Sequence, residues 1–87
     1  MLTIIVPVFN EKKFIRTILK KIIKIKNIKK QIIIVDDGST DGTTNILKQE
    51  FENLKIINKI IFHKTNKGKG AAIKSAQKYI RGDYIGI

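Results

Sequence analysis

This chain has no cysteine, one proline, one histidine and only 7 acidic residues among 87. Without cysteine, neither a disulfide framework nor a thiolate metal site can form, which fits a reducing compartment. The lone histidine, His63, has no imidazole partner, so a histidine-based metal centre is poorly supplied. No apolar run approaches the ~20 residues needed to cross a bilayer. Thr3 to Phe9 is apolar, but no basic segment precedes it, Pro7 interrupts it, and no small-residue cleavage site follows. It does not read as a signal peptide.

The shortage of acid leaves 18 Lys and Arg residues and a net charge of +11. Such a charge invites a nucleic-acid reading, but its texture argues against one. Arg16 and Arg81 are the only guanidiniums, the lysines are spread along the chain, and isoleucine is in similar excess. A joint Lys/Ile excess is what an AT-rich coding sequence produces without selection for a partner. Solvated helix faces explain the charge best, an anionic membrane surface comes second, and nucleic acid last. Hydrophobic residues make up 43% of the chain and arrive in clusters, which excludes disorder. The length suits one small domain, spanning residues 1–87 and burying about 60–65% of its unfolded surface.

Strand and helix patterns alternate, the signature of a parallel α/β sheet. Leu2 to Val8 reads as the first strand. Asn10 is a candidate N-cap, with Glu11 in the first turn of a helix whose apolar stripe is Phe14, Ile15, Ile18, Leu19, Ile22 and Ile23, running to about Lys26. Gln31 to Val35 is the second strand. Ser39 to Asp41 offers caps for a second helix with Ile46, Leu47 and Phe51 on its apolar face. Asn53 to Lys59 fits neither pattern, and Lys59 to His63 reads as the third strand. A Gly-rich loop, Lys64 to Lys69, opens a third helix marked by Ala71, Ala72, Ile73, Ala76, Tyr79 and Ile80 and stopped by Gly82. Asp83 to Ile87 begins a fourth strand. Right-handed crossovers then predict a Rossmann-like open parallel sheet of order 3-2-1-4, with helices on both faces and a crevice between strands 1 and 4.

The chemistry concentrates in Asp36-Asp37-Gly38-Ser39-Thr40-Asp41-Gly42, directly after an apolar β-branched run. As a calcium loop it fails: Lys48 stands where the bidentate Glu is required, and a strand precedes it. Helix capping explains part of the loop, Ser39 to Asp41. It leaves two adjacent carboxylates at a strand end, one of which alternation sends inward, where it needs partners such as a nucleobase imide or ribose hydroxyls. Asn66-Lys67-Gly68-Lys69-Gly70-Ala71-Ala72 could cradle phosphate on backbone amides. It is not a Walker loop, because Gly70 follows Lys69, nor a dinucleotide fingerprint, because Ile73 holds the third glycine position. Phe9 is either core or a stacking platform for a base, core being the default for a lone aromatic. His63 reads as a strand-end residue near the site.

Three blocks, Ile5-Val6-Pro7-Val8-Phe9-Asn10-Glu11, Val35-Asp36-Asp37-Gly38-Ser39-Thr40-Asp41-Gly42-Thr43 and Asn66-Lys67-Gly68-Lys69-Gly70-Ala71-Ala72-Ile73, occur in order along the whole chain. Together they resemble the N-terminal half of a GT-A-type family-2 glycosyltransferase. The Gly-Lys-Gly block looks most like the dolichyl-phosphate mannose and glucose synthase branch. The resemblance implies that Pro7, Phe9 and Glu11 line a nucleoside pocket and that Asp37 binds the base with Asp36 supporting it. Lys69 and neighbouring amides, Gly68 among them, would lie near ribose or diphosphate. It implies an inverting transfer from a UDP- or GDP-linked sugar to an acceptor such as a lipid phosphate, helped by Mg²⁺ or Mn²⁺.

The same resemblance expects an Asp-x-Asp metal motif a few residues beyond Gly82-Asp83-Tyr84-Ile85-Gly86-Ile87, where this sequence stops. The metal ligands and catalytic base therefore have no counterparts here. The expectation is the nucleotide-binding half of a glycosyltransferase, a truncated or split gene product, inactive alone. A cytoplasmic location follows, with peripheral attachment to the membrane's cytoplasmic face as a variant. The competing readings are a basic membrane module anchored by the Lys-rich first helix and a nonspecific nucleic-acid binder.

Overall fold

The computed structural model describes all residues from Met1 to Ile87. Four parallel strands, β1 (Leu2–Val8), β2 (Lys30–Asp36), β3 (Ile57–Phe62) and β4 (Asp83–Gly86), form one sheet in the order β3-β2-β1-β4. Helices α1 (Ile15–Ile23), α2 (Thr43–Ile46) and α3 (Lys69–Ala76) join them. This is the expected topology, with a switch point between β1 and β4.

Strand alternation sorts the apolar residues onto two faces. Ile4, Val6, Val8, Ile32 and Ile34 pack with Ile15, Leu19 and Ile22 of α1 and with Ile46, Leu47 and Phe51. Ile5, Ile33 and Val35 face the other way, against Ala72 and Ala76 of α3. Residues 32–35 of β2 are wholly buried, as a strand covered on both faces requires. Alanines on α3 let that short helix lie close to the sheet.

Several boundaries differ from the sequence pattern. Asn10 is not an N-cap: its φ of 51° is left-handed, and α1 starts only at Ile15 after a turn closed by the Phe14 and Ile15 amides on the Glu11 carbonyl. Glu11 therefore precedes the helix instead of occupying its first turn. The helix also ends at Ile23, short of Lys26. Beyond α2 the chain widens into a π-helical turn, Leu47–Phe51, in which the Glu52 amide donates to the Leu47 carbonyl. Leu47 and Phe51, four residues apart, both stay in the core across this turn. β3 begins at Ile57, where pairing with Ile32 and burial in the core override a weak local pattern. α3 begins at Lys69 and ends in a 3₁₀ turn, Gln77–Tyr79, before Gly82 is reached.

A buried polar knot fixes the opposite end of the sheet. The Thr3 hydroxyl lies 2.8 Å from Gln31 Oε1, and the Gln31 amide donates to the Tyr79 carbonyl at 2.8 Å. The Arg81 amide faces the same two side chains. These bonds tie the α3–β4 connection to β1 and β2, and so hold β4 in place.

Candidate functional site

Three loops meet at the carboxyl edge of the sheet: residues 9–14 after β1, 37–42 after β2 and 63–68 after β3. The first two are stitched together by polar side chains. The Asn10 amide donates to Ser39 Oγ at 2.9 Å, and the Thr40 amide donates to Asn10 Oδ1 at 2.7 Å. The Glu11 amide donates to Thr43 Oγ1 at 3.0 Å, and the Lys12 amide to Asp41 Oδ2 at 3.1 Å. Capping is only part of this loop's work. Asp41 does hold the Thr43 amide, and its hydrogen bonds, that from the Thr43 hydroxyl foremost, keep its carboxyl below the usual range. Ser39, by contrast, serves the neighbouring loop.

The adjacent carboxylates diverge. Asp36, at the end of β2, is 1% exposed and accepts from the Ser39 amide and the Thr44 hydroxyl. Its partners are on the α2 side, so it braces the turn and does not support Asp37 directly. Asp37 turns toward α3 and is 4% exposed. Its Oδ1 lies 2.7 Å from His63 Nδ1 and accepts from the Lys67 amide at 2.9 Å; Oδ2 accepts from the Gly68 amide at 2.8 Å. Burial pushes the Asp37 carboxyl up, but the bonds from His63, Lys67 and Gly68 outweigh it and hold the group below the ordinary carboxylate range. It is ionised at neutral pH.

Those bonds correct one expectation. The Lys67 and Gly68 amides are engaged by a carboxylate of the same chain and are not waiting for phosphate. α3 opens with the Ala72 amide on the Gly68 carbonyl, so the amides of residues 69–71 have no partner within the helix. Gly38 permits the close approach of the second and third loops. Its φ is +76°, and an added Cβ would lie 2.5 Å from the Thr65 carbonyl carbon and 2.6 Å from the Asn66 nitrogen.

Between β1 and β4 these loops leave a cleft of about 310 Å³ lined by Pro7, Phe9, Glu11, Asp37, Gly68 and Lys69, with Val8, Asn66 and Ile87 completing the wall. Of the residues assigned to nucleotide binding from the sequence, Asp36 alone stands outside it, and His63 lies behind the wall. Phe9 is 44% exposed on its rim and is not core. The sequence reading quoted Asn66 and Thr43 within its motifs but gave them no role, and it missed Thr44 and Ser75. The Asp37–His63 pair follows from register, since Asp36 pairs with Phe62 and the next residues along must be neighbours.

Carboxylates in the cleft are Glu11 and Asp37, and no group of three or more His, Cys, Asp or Glu residues is placed to hold a metal ion. With Asp37 already engaged by three donors, the residues present do not fit a divalent metal.

Comparison with known proteins agrees with this fold. The family model described as Glycosyl transferase family 2 matches residues 3–87. The dolichyl-phosphate beta-glucosyltransferase of Saccharomyces cerevisiae is 36% identical over 91 residues, covering 95% of this chain and 27% of the yeast protein. Among solved structures, the mannosyltransferase PcManGT of Pyrobaculum calidifontis, in complex with GDP-Man and Mn²⁺, superposes with a TM-score of 0.79 at 25% identity, covering 92% of this chain and 24% of that one. TarS of S. aureus superposes with a TM-score of 0.80 at 28% identity, covering 99% of this chain and 16% of that one. The chain thus spans about a quarter or less of the length of these proteins. Sequence and topology agree: the chain belongs to glycosyl transferase family 2.

Proposed function

We propose that the cleft binds the nucleotide of a UDP- or GDP-linked sugar, and that the chain is the donor-binding part of an inverting glycosyltransferase. The observation that carries this reading is the cleft itself. It opens at the β1/β4 switch point with an ionised, buried carboxylate on one wall and the ammonium-bearing Lys69 on another. Asp37 keeps an acceptor direction on Oδ2 for one N–H of a base, an interaction made strong by its charge. Phe9 offers a ring at the rim. Lys69 and the first amides of α3 suit the diphosphate.

In such a transfer an acceptor oxygen attacks the anomeric carbon while the nucleoside diphosphate departs from its opposite face. A lipid phosphate is the acceptor class proposed, in line with the name of the yeast relative. A divalent ion, as in the mannosyltransferase complex, would need ligands other than those in this cleft, and no step is assigned to one here.

Membrane anchoring through α1 loses its support, because Ile15, Leu19 and Ile22 are buried in the core. No helix is long and apolar enough to cross a membrane.

Isothermal titration of the chain with UDP, GDP and uridine tests the reading. Saturable binding of UDP or GDP is expected. The exposed Lys69→Ala variant should weaken UDP up to about fivefold, the scale of an exposed ion pair, and leave uridine unchanged. A folded chain that binds none of the three overturns the proposal.

A further inference from the structure

The single histidine links the cleft to α3. His63 Nδ1 lies 2.7 Å from Asp37 Oδ1, and Nε2 lies 2.8 Å from Ser75 Oγ. The two side chains of the His63–Asp37 pair are 7% and 5% exposed. An ionised carboxylate can only accept, so Nδ1 carries a proton and donates it to Asp37. Nε2 rests against the Ser75 hydroxyl, and Ser75 is fixed by its place in α3.

Asp, His and Ser in this order share the connectivity of a nucleophilic triad. Ser75, however, lies inside α3, whose amides are committed to the helix ladder, so no backbone pair is free to hold an oxyanion beside it. The arrangement braces a carboxylate instead of activating a hydroxyl.

We propose that His63, seated on Ser75, is a positioning residue that aims the Asp37 carboxylate into the cleft and thereby sets nucleotide affinity without touching the nucleotide. The inference rests on the reading of the cleft as a nucleotide site. His63 is absent from the cleft wall, so any effect must pass through Asp37. Three donors hold Asp37, two on Oδ1 and one on Oδ2. Of these, the imidazole is the only side chain, and through Ser75 it ties the carboxylate to the body of α3, whereas the Gly68 amide reaches only its N-terminal cap. Removing it frees the carboxylate to rotate and loosens the Lys67 and Gly68 amides that follow it.

Two substitutions separate positioning from bulk. His63→Asn places a donor near the position of Nδ1 and can still serve Asp37. His63→Gln places its amide near Nε2 and reaches Ser75 instead. Both leave comparable gaps in packing, and His63→Gln, which also loses the donor to the ionised Asp37, should lower thermal stability at least as far as His63→Asn. We expect His63→Gln to weaken UDP or GDP on the order of tenfold, the equivalent of one hydrogen bond to a charged group. The same variant should speed hydrogen exchange at the Lys67 and Gly68 amides, while His63→Asn keeps both properties near those of the parent chain. In the unmodified chain, nitrogen-15 NMR should show a proton on His63 Nδ1, and this reading needs no variant to fold.

Equal behaviour of the two variants in exchange and binding would overturn the proposal, as would an Nε2-only protonated imidazole. If the unmodified chain binds neither nucleotide, the cleft reading fails, and the exchange comparison still decides whether His63 holds Asp37.

Discussion

Asp37 shows how a single residue's chemistry is set by folding. Its folded pKa lies below its unfolded value, near 3.9 for a free Asp. The unfolded chain therefore binds more protons as pH falls through that range, and folding stability falls with it. The stabilisation is fully present above the unfolded pKa and disappears as pH drops through the lower, folded one. Asp37→Asn removes the charge and turns a donor toward backbone amides, so it should melt well below the parent chain at pH 7. Below about pH 4 the gap should narrow as the parent's own carboxyl is protonated. Melting temperatures by circular dichroism between pH 7 and 3 check this, and a gap constant with pH would refute the role given to the charge. At this scale the sequence was informative about identity and blind to partners. Two carboxylates after a β-branched strand announced a site, but that Asp36 would brace α2 while Asp37 gripped the third loop depends on side-chain directions beyond the strand end. The cleft's Pro7, Phe9 and Glu11 came from the motif with roles attached, whereas Asn66 stood in the third block without one, because its place in the wall depends on how Gly38 lets the two loops touch.

The elements were legible where burial is continuous and less so where loops decide. The apolar runs of β1 and β2 and the right-handed crossovers were enough to give the order β3-β2-β1-β4. The start of α1 was misplaced because Asn10 is held in a left-handed conformation by bonds to Ser39 and Thr40, contacts that no local pattern encodes. Thr43 is the most enclosed of these stitches, fully buried, accepting from the Glu11 amide and donating to Asp41. Thr43→Val keeps the shape and removes both bonds, leaving the Glu11 amide without its partner. The expected cost is about 1–3 kcal/mol, or a fall in melting temperature of at least ~4 °C for a domain of this size. Thr43→Ser, which retains the hydroxyl, should recover most of it. Differential scanning calorimetry of both variants is the check, and equal losses would show that the methyl packing matters more than the loop stitch. The Arg16–Glu50 pair, which also crosses between elements, is forked and depresses the Glu50 pKa. Both groups are well exposed, and pairs of that kind contribute little to stability.

Across the whole molecule the two faces of the sheet are unequal. The α1 and α2 side holds a core of 12 buried residues, whereas the α3 side holds 5. β4 is exposed throughout and pairs only with β1. Tyr84, Ile85 and Ile87 are 48%, 47% and 51% exposed. A free strand edge with apolar side chains is a template for another strand, and the high net charge opposes association without covering that edge. The 87-residue chain should therefore self-associate reversibly through β4 as its concentration rises, more strongly in salt, which screens the lysines. Ile85 sits in register with Ile4, so Ile85→Lys places a charge on the apolar strip while leaving the backbone pairing with β1 intact. Sedimentation velocity across a concentration series should show the parent chain moving toward larger species and the Ile85→Lys variant remaining a monomer. The variant must also keep its nucleotide titration and melting profile, since a partly unfolded chain would associate for other reasons. A parent chain that stays monomeric at high salt and high concentration would show that the twist and shortness of β4 already protect the edge.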